Sequence, residues 1–195
     1  MFNWIAAAAV ALLMSYTPAD AHECTPPDPY GHIRVTVGLG GDSVLLGESG
    51  AIKRAIKHSK FATFAVSERT LRDFDMSQVA QTTKVDGWVL AFGANDARKH
   101  DLPNFEADLT RIVTERKAAG QFVVLVTPPY PDPTRYPVKM GEFAEAVRRV
   151  GAAQGVCVAD RYETMSAAGK WQRDGVHPAT NTTRSINECI RISVK

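Results

Sequence analysis

Five short runs rich in apolar residues alternate along the chain with segments of helical periodicity. The runs lie at 33–39, 61–66, 85–92, 122–127 and 156–159. A nearly continuous apolar run is typical of a strand that is buried on both faces of its sheet, whereas a half-exposed strand alternates apolar and polar residues. The runs therefore predict five strands of a parallel sheet.

The segments between the runs repeat apolar residues every three or four positions, which is the period of an α-helix. Residues 104–119 carry such a stripe and stop at Gly120, and residues 140–154 carry a second and stop at Gly155. Residues 179–192 predict a weaker final helix. Alternating strands and helices predict an α/β fold in which helices cover both faces of a doubly wound parallel sheet.

The first 21 residues differ in character from the rest. Residues 5–14 are an unbroken apolar run, and Ala19-Asp20-Ala21 has the small-residue form of a cleavage site. This layout is typical of a secretory signal peptide over 1–21, followed by one domain over 22–195. The run is shorter than the roughly 20 residues of a membrane span, so we expect a secreted or periplasmic protein with no stable membrane insertion. An uncleaved anchor or a buried N-terminal helix is the alternative.

Charge and cysteine content narrow the partners and the compartment. The net charge is +2 and no long run of like charge occurs, which gives no electrostatic basis for binding nucleic acid. The cysteines are Cys24, Cys157 and Cys189, and an odd number cannot pair completely within one chain. In an oxidising compartment we expect Cys189 to pair with Cys24 or Cys157, and the sequence leaves that choice open.

Two candidate functional segments follow predicted strands. After the first strand, Gly40 and Gly41 permit a tight turn, and Ser43 then begins a helix whose free N–H groups favour developing negative charge. After the third strand, Asn95 offers an amide N–H that can bind an oxyanion. Taken singly, a helix cap and a turn explain these residues equally well.

A third candidate segment lies near the C-terminus. Asp174 precedes His177 by three residues, so its carboxylate can reach the imidazole within one loop. Such a contact fixes the tautomer and leaves the other ring nitrogen free to take a proton from a serine. An Asp-Gly turn beside a surface histidine is the alternative reading of this segment alone.

Together and in this order, the three segments resemble the SGNH (GDSL-type) serine hydrolase family. The matching residues are Gly41, Asp42, Ser43 and Gly47 in the first block, Gly93, Asn95 and Asp96 in the third, and Asp174 and His177 in the last. The resemblance implies a flavodoxin-like three-layer α/β/α sandwich with a five-stranded parallel sheet. It also implies a carboxylic ester hydrolase without metal or cofactor, in which Ser43 is the nucleophile, His177 its base and Asp174 the group that orients the base. An O-acyltransferase on the same fold and a non-catalytic binding or assembly module are the alternatives.

The second block departs from the family pattern. The family has a glycine after strand two whose backbone N–H joins the oxyanion hole, and Glu68 takes its place here. The resemblance implies an oxyanion hole made of the backbone N–H groups of Ser43 and Glu68 and the side chain of Asn95. The N–H survives the replacement. The carboxylate opposes catalysis if it points inward, and otherwise it points to solvent or pairs with Arg69 or Arg98.

The proline-rich segment 128–137 is predicted to form one rigid loop after strand four. It brings Tyr130, Arg135 and Tyr136 as candidate substrate contacts, because aromatic faces and an arginine suit sugars. Few insertions decorate the chain, so we expect an open cleft without a lid. The expected substrate is a small-molecule or carbohydrate ester with a short acyl group.

Overall fold

The computed structural model describes residues 34–99, 102–134, 139–179 and 181–194. The predicted signal peptide, Cys24, Arg135 and Tyr136 lie outside these ranges. The strands are β1 (Thr36–Gly41), β2 (Lys60–Thr63), β3 (Gly87–Ala91), β4 (Phe122–Val126) and β5 (Cys157–Ala159). The helices are α1 (Ser43–Ala55), α2 (Met76–Thr82), α3 (Ala94–Lys99), α4 (Leu102–Ala118), α5 (Met140–Gln154), α6 (Arg161–Ala168) and α7 (Thr183–Ser193). No helix within the described ranges has both the length and the apolar character needed to cross a membrane.

The five strands form one sheet in the order β2-β1-β3-β4-β5, and all neighbouring pairs are parallel. This confirms the predicted five-stranded parallel sheet, and the order is that of flavodoxin-like folds. The strand order reverses between β1 and β3. Ligands of open α/β sheets bind outside the carboxyl ends of the strands at such a reversal. Ser43 follows β1 and Asn95 follows β3, so the topology brings both to that position.

The two-residue period of the strands sorts their side chains into two cores. In β3, Trp88 and Leu90 join a cluster that includes residues of α4 and α5. Val89 and Ala91, from the same strand, join a second cluster with residues of α1 and α7. Helices therefore cover both faces of the sheet, which confirms the three-layer α/β/α sandwich and explains why the strands read as continuous apolar runs.

Gly40 and Gly41 lie inside β1, so the tight turn expected at these glycines is wrong. Neither residue has a positive φ. A Cβ atom on Gly40 would lie 2.8 Å from the Phe74 ring, and one on Gly41 would lie 2.7 Å from the carbonyl oxygen of Ala91. Close packing therefore requires glycine at both positions. Strand β1 ends two residues later than predicted, and only Asp42 separates it from α1, the helix that begins with Ser43.

A disulfide joins Cys157 in β5 to Cys189 in α7. It settles the pairing that the sequence left open. The bridge spans a sequence separation of 32 residues, for which the loss of chain entropy in the unfolded state corresponds to about 4 kcal/mol of stabilisation. The C-terminal helix is thereby fixed to the edge strand of the sheet.

Candidate active site

Ser43 is the first residue of α1 and follows β1 after a single residue, Asp42. Asp42 is the N-cap of the helix, and its Oδ1 accepts a hydrogen bond from the N–H of Val44 at 2.9 Å. The first N–H groups of a helix have no intrahelical acceptor. Because the Asp42 cap engages Val44, the N–H of Ser43 stays available to an oxygen atom of a bound substrate.

A buried ion pair lies behind the Ser43 helix. Glu48 of α1 accepts a hydrogen bond from Arg161 Nη2 at 2.7 Å, and the side chains are 10% and 1% exposed. The hydroxyl of Thr182 donates to the other oxygen of Glu48. Burial raises the pKa of Asp42, although the Arg161 guanidinium opposes that rise. The cluster ties α1 to the start of α6 and to the segment that follows His177.

His177 bridges Ser43 and Asp174. Its Nε2 lies 3.1 Å from Ser43 Oγ, and its Nδ1 lies 2.6 Å from Asp174 Oδ2. Desolvation alone would raise the pKa of Asp174, but the N–H groups of Val176 and His177 together with the imidazole hold it below its usual value. An ionised Asp174 favours the tautomer with hydrogen on Nδ1. In that tautomer Nε2 can accept the serine proton.

The loop that carries His177 is anchored by a residue the sequence reasoning missed. Trp171 pairs with Pro178 in an isolated antiparallel bridge, and its Nε1 donates to the carbonyl oxygen of Tyr130 at 2.7 Å. The Tyr130 ring packs against Tyr162 and Trp171, with centroids 5.1 and 6.0 Å away. Tyr130, expected to contact substrate, is not among the residues that line the cavity at Ser43, and it supports this loop through Trp171. Only the anchoring contacts, not the sequence pattern, identify Trp171.

Asn95 lies in the first turn of α3, half-buried beside Ser43. Its Nδ2 donates one hydrogen bond to the carbonyl oxygen of Arg69 at 3.1 Å. An amide nitrogen carries two hydrogens, so the second remains for a ligand in the cavity. The bond to Arg69 also orients the amide, which an oxyanion donor needs in order to act without rearrangement.

Glu68 occupies the third position of a β-turn over Val66–Arg69, in which the N–H of Arg69 donates to the carbonyl oxygen of Val66 at 3.4 Å. Its φ is +63°, in the left-handed region where glycine is favoured. The side chain is exposed, and Arg69 directs its guanidinium to the carbonyl oxygen of Phe64 instead. Because Glu68 is exposed, its N–H can face the site while its charge stays in water.

Asp96 joins the turn that carries Glu68 to the loop after β3. Its two carboxylate oxygens accept hydrogen bonds from the N–H groups of Leu71 and Gly93, both at 3.0 Å. The residue is 6% exposed, and burial raises its pKa to about 6 against the effect of these N–H donors. Sequence similarity pointed to this aspartate, but its structural role follows only from the two contacts.

We expect Asp96 to make folding stability depend on pH. A carboxyl group whose pKa is higher in the folded than in the unfolded state stabilises most below its unfolded pKa, and this contribution is lost as the pH rises through the folded pKa. For a rise from 3.8 to about 6, the loss is about 2 kcal/mol between pH 4 and 7. Urea unfolding of wild type and Asp96→Asn at both pH values measures it: the advantage of wild type should shrink by that amount, and a pH-independent difference would contradict the assignment.

Five predicted residues line one cavity of about 290 Å³, namely Ser43, Glu68, Asn95, Asp174 and His177. The other residues around it are Val44, Ser67, Ala94, Arg98, Met140 and Val176. Hydroxyl, imidazole, carboxylate and amide therefore converge at the carboxyl edge of the sheet. This set can deprotonate a hydroxyl group and bind a developing negative oxygen, which is the chemistry of acyl transfer.

The sequence profile of the GDSL-like lipase/acylhydrolase family matches residues 23–181. No curated protein sequence matches the chain. The matched span includes every residue of the cavity just described, so the profile and the geometry point to the same part of the molecule.

Solved structures of similar fold cover most of this chain. A lipase/acylhydrolase from Enterococcus faecalis is 23% identical, with a TM-score of 0.67 over 83% of this chain and 95% of its own. A variant of an acetyl xylan esterase from Geobacillus stearothermophilus is 19% identical, with a TM-score of 0.61 over 84% and 96%. A member of the lipolytic G-D-S-L family from Veillonella parvula is 17% identical, with a TM-score of 0.67 over 82% and 97%. At these identities the similarity establishes the fold.

Proposed function

Because the chain belongs to the GDSL-like lipase/acylhydrolase family and is a carboxylic ester hydrolase, we propose that it is an exported serine esterase that transfers a short acyl group first to Ser43 and then to water. The observation that carries the proposal is the contact of His177 with both Ser43, at 3.1 Å, and Asp174, at 2.6 Å. Hydrogen-bond contact between nucleophile, base and an orienting carboxylate is what activates a serine.

The proposed reaction has two halves. His177 Nε2 accepts the hydroxyl proton of Ser43 while Oγ bonds to the ester carbonyl carbon, and the N–H groups of Ser43 and Glu68 and the Asn95 amide bind the resulting oxyanion. The bond to the alcohol then breaks, and His177 returns its proton to the leaving oxygen. Water, deprotonated by the same imidazole, then attacks the acyl carbon; the bond to Ser43 Oγ breaks, His177 returns the proton to Oγ, and the acid is released. Asp174 stabilises the imidazolium form in both halves.

The dimensions of the cavity support a short acyl group on a polar alcohol. A volume of about 290 Å³ lies at the lower end of the roughly 300–1,000 Å³ of ligand pockets. Ala94, Met140 and Val176 supply its apolar part, whereas Glu68 and Arg98 are exposed at its rim. Neighbouring structures include acetyl xylan esterases, which supports a carbohydrate O-acyl ester as substrate. The exposed rim also gives water access to the acyl group, which favours hydrolysis over transfer to a second alcohol.

The value of kcat/KM should not rise as the acyl chain lengthens beyond a short acyl group. We expect p-nitrophenyl laurate to be hydrolysed no more efficiently than the butyrate. Methylene groups beyond the small apolar part remain in water and gain none of the roughly 0.8 kcal/mol that each buried one contributes. Steady-state kinetics below the critical micelle concentration measures this, and kcat/KM that rises with chain length would contradict the short-acyl assignment.

Two features support export of the mature domain. The N-terminal pattern is that of a signal peptide, and the Cys157–Cys189 disulfide belongs to an oxidising compartment. The proposed location is therefore the periplasm or the medium outside the cell. Mass spectrometry of the secreted or periplasmic protein tests it, because cleavage after Ala21 gives a mature chain that begins at His22.

A further inference from the structure

Glu68 and Arg98, two residues with side chains of opposite charge, line the cavity beside Ser43, and their side chains take no part in the proposed acyl transfer. We refer to these two side chains as the rim pair. Both are exposed, and neither forms an ion pair with the other or with a third residue in the part of the chain that the structure describes. Since the charges do not neutralise each other in direct contact, both remain available to a ligand.

Glu68 adopts a backbone conformation that is unfavourable for a residue with a side chain. At a φ of +63°, any side chain is disfavoured relative to glycine. The turn persists because it is fixed just beyond Glu68: the carbonyl oxygen of Arg69 accepts from Asn95, and the N–H of Leu71 donates to Asp96. Residues in such disfavoured conformations cluster at ligand-binding sites. Glycine would suit this backbone conformation better, and glutamate adds a carboxylate at this position.

Arg98 reaches the same cavity because of helical geometry. It lies three residues after Asn95 in α3, and residues three apart share one face of a helix. The helix that presents the candidate oxyanion donor therefore also presents the guanidinium. The rim pair is thus built from the turn after β2 and the helix after β3, the two elements that border the proposed oxyanion hole.

The chemistry of the rim pair favours one kind of functional group next to the ester group of the substrate. A carboxylate only accepts hydrogen bonds and a guanidinium only donates them, and their charges sum to zero. Hydroxyl groups, which are neutral and both donate and accept, can satisfy the two at once. We infer that the rim pair binds free hydroxyl groups next to the acylated oxygen, so that the enzyme prefers partially acylated polyols such as monoacetylated sugars. The inference rests on the proposed function, because the ester carbonyl must lie at Ser43.

The test compares two substrates that differ only in these hydroxyl groups. One is methyl β-xyloside with a single 3-O-acetyl group, and the other is its 2,4-dideoxy analogue, in which hydrogen replaces both neighbouring hydroxyls. Wild type should release acetate from the first with kcat/KM at least about tenfold higher, as expected for hydrogen bonds to charged groups. In Glu68→Gly and in Arg98→Ala the preference should fall to about threefold or less. The ratio cancels any change in acyl transfer that affects both substrates.

Controls separate the rim pair from general charge and folding effects. Glu163→Gln removes an exposed carboxylate outside the cavity and should keep the wild-type preference for the substrate with free hydroxyls. Glu68→Gln keeps the size of the side chain but removes its charge, and its preference should lie between those of wild type and Glu68→Gly. Glu68→Gly should melt no lower than wild type, since glycine suits a positive φ.

The two proposals fail in different ways. Wild type that hydrolyses p-nitrophenyl acetate faster than Ser43→Ala, together with an unchanged hydroxyl preference in both Glu68→Gly and Arg98→Ala, would overturn the inference and leave the proposed function standing. Wild type that hydrolyses p-nitrophenyl acetate no faster than Ser43→Ala would overturn the proposed function, and the inference with it.

Discussion

Replacing Ser43 with alanine will lower kcat for p-nitrophenyl acetate by about 10⁴- to 10⁶-fold, because no other hydroxyl group lies in contact with the imidazole of His177 in the described part of the site. Replacing His177 with alanine will have an effect of similar size. The double variant will lose little more than either single variant, since nucleophile and base act as one unit. Initial rates at saturating substrate, corrected for uncatalysed hydrolysis, measure all three.

The control for this result lies on the same helix. Ser49 is also in α1, and its hydroxyl donates only to the carbonyl oxygen of Leu46. Ser49→Ala should therefore retain the activity of wild type, and a fluorophosphonate probe should label it but not Ser43→Ala. Activity in Ser43→Ala equal to that of wild type would remove the acyl-enzyme mechanism altogether.

Replacing Arg161 with methionine will reduce the free energy of unfolding by about 3–5 kcal/mol, the usual consequence of leaving one partner of a buried ion pair without its counter-charge. Glu48 would then keep only the Thr182 hydroxyl, and Asp42 would lose the cation that opposes its rise in pKa. Urea unfolding at neutral pH, with m-values compared to exclude altered denatured states, measures the change.

Two further variants serve as controls for this prediction. Replacing Arg161 and Glu48 together, both by methionine, should restore much of the lost stability, because no buried charge then stays unpaired in that pair. Arg184→Met breaks the pair with Glu188, whose side chains are 86% and 54% exposed, and should cost less than about 0.5 kcal/mol. A loss below 1 kcal/mol in Arg161→Met would show that water reaches Glu48.

The architecture could be predicted from the sequence because the two patterns that indicate it are local. These patterns are the continuous apolar runs of the strands and the three- or four-residue apolar period of the helices. Strands buried on two faces need continuous apolar runs, and Trp88 and Val89 show the reason, since adjacent side chains enter opposite cores. The ends of strands are less predictable. The sequence at Gly40 and Gly41 resembles that of a turn. These glycines lie in a strand, however, where a side chain would clash with Phe74 or Ala91, which are distant in the sequence.

The proposed site was predictable to the extent that short motifs carry it. Ser43, Asn95, Asp174 and His177 lie in such motifs and meet in one cavity. The contacts that support the site could not be predicted from local sequence patterns. Arg161 and Glu48 are 113 residues apart, and the residues around each give no indication that the two form a pair. The positive φ of Glu68 was equally hidden, because glutamate is an unusual residue for that conformation.

The proposed nucleophile, Ser43, and its proposed base, His177, are separated by 134 residues, and the contact between Glu48 and Thr182 spans the same sequence separation. Helix α7 follows both, and its Ile186 and Ile190 fill the centre of one core. Ser43 therefore meets its proposed base only after the residues up to His177 have been synthesised and have packed against it. A nascent chain consequently carries an inert hydroxyl, and the appearance of esterase activity during refolding would time the closure of the C-terminal region rather than the formation of the sheet.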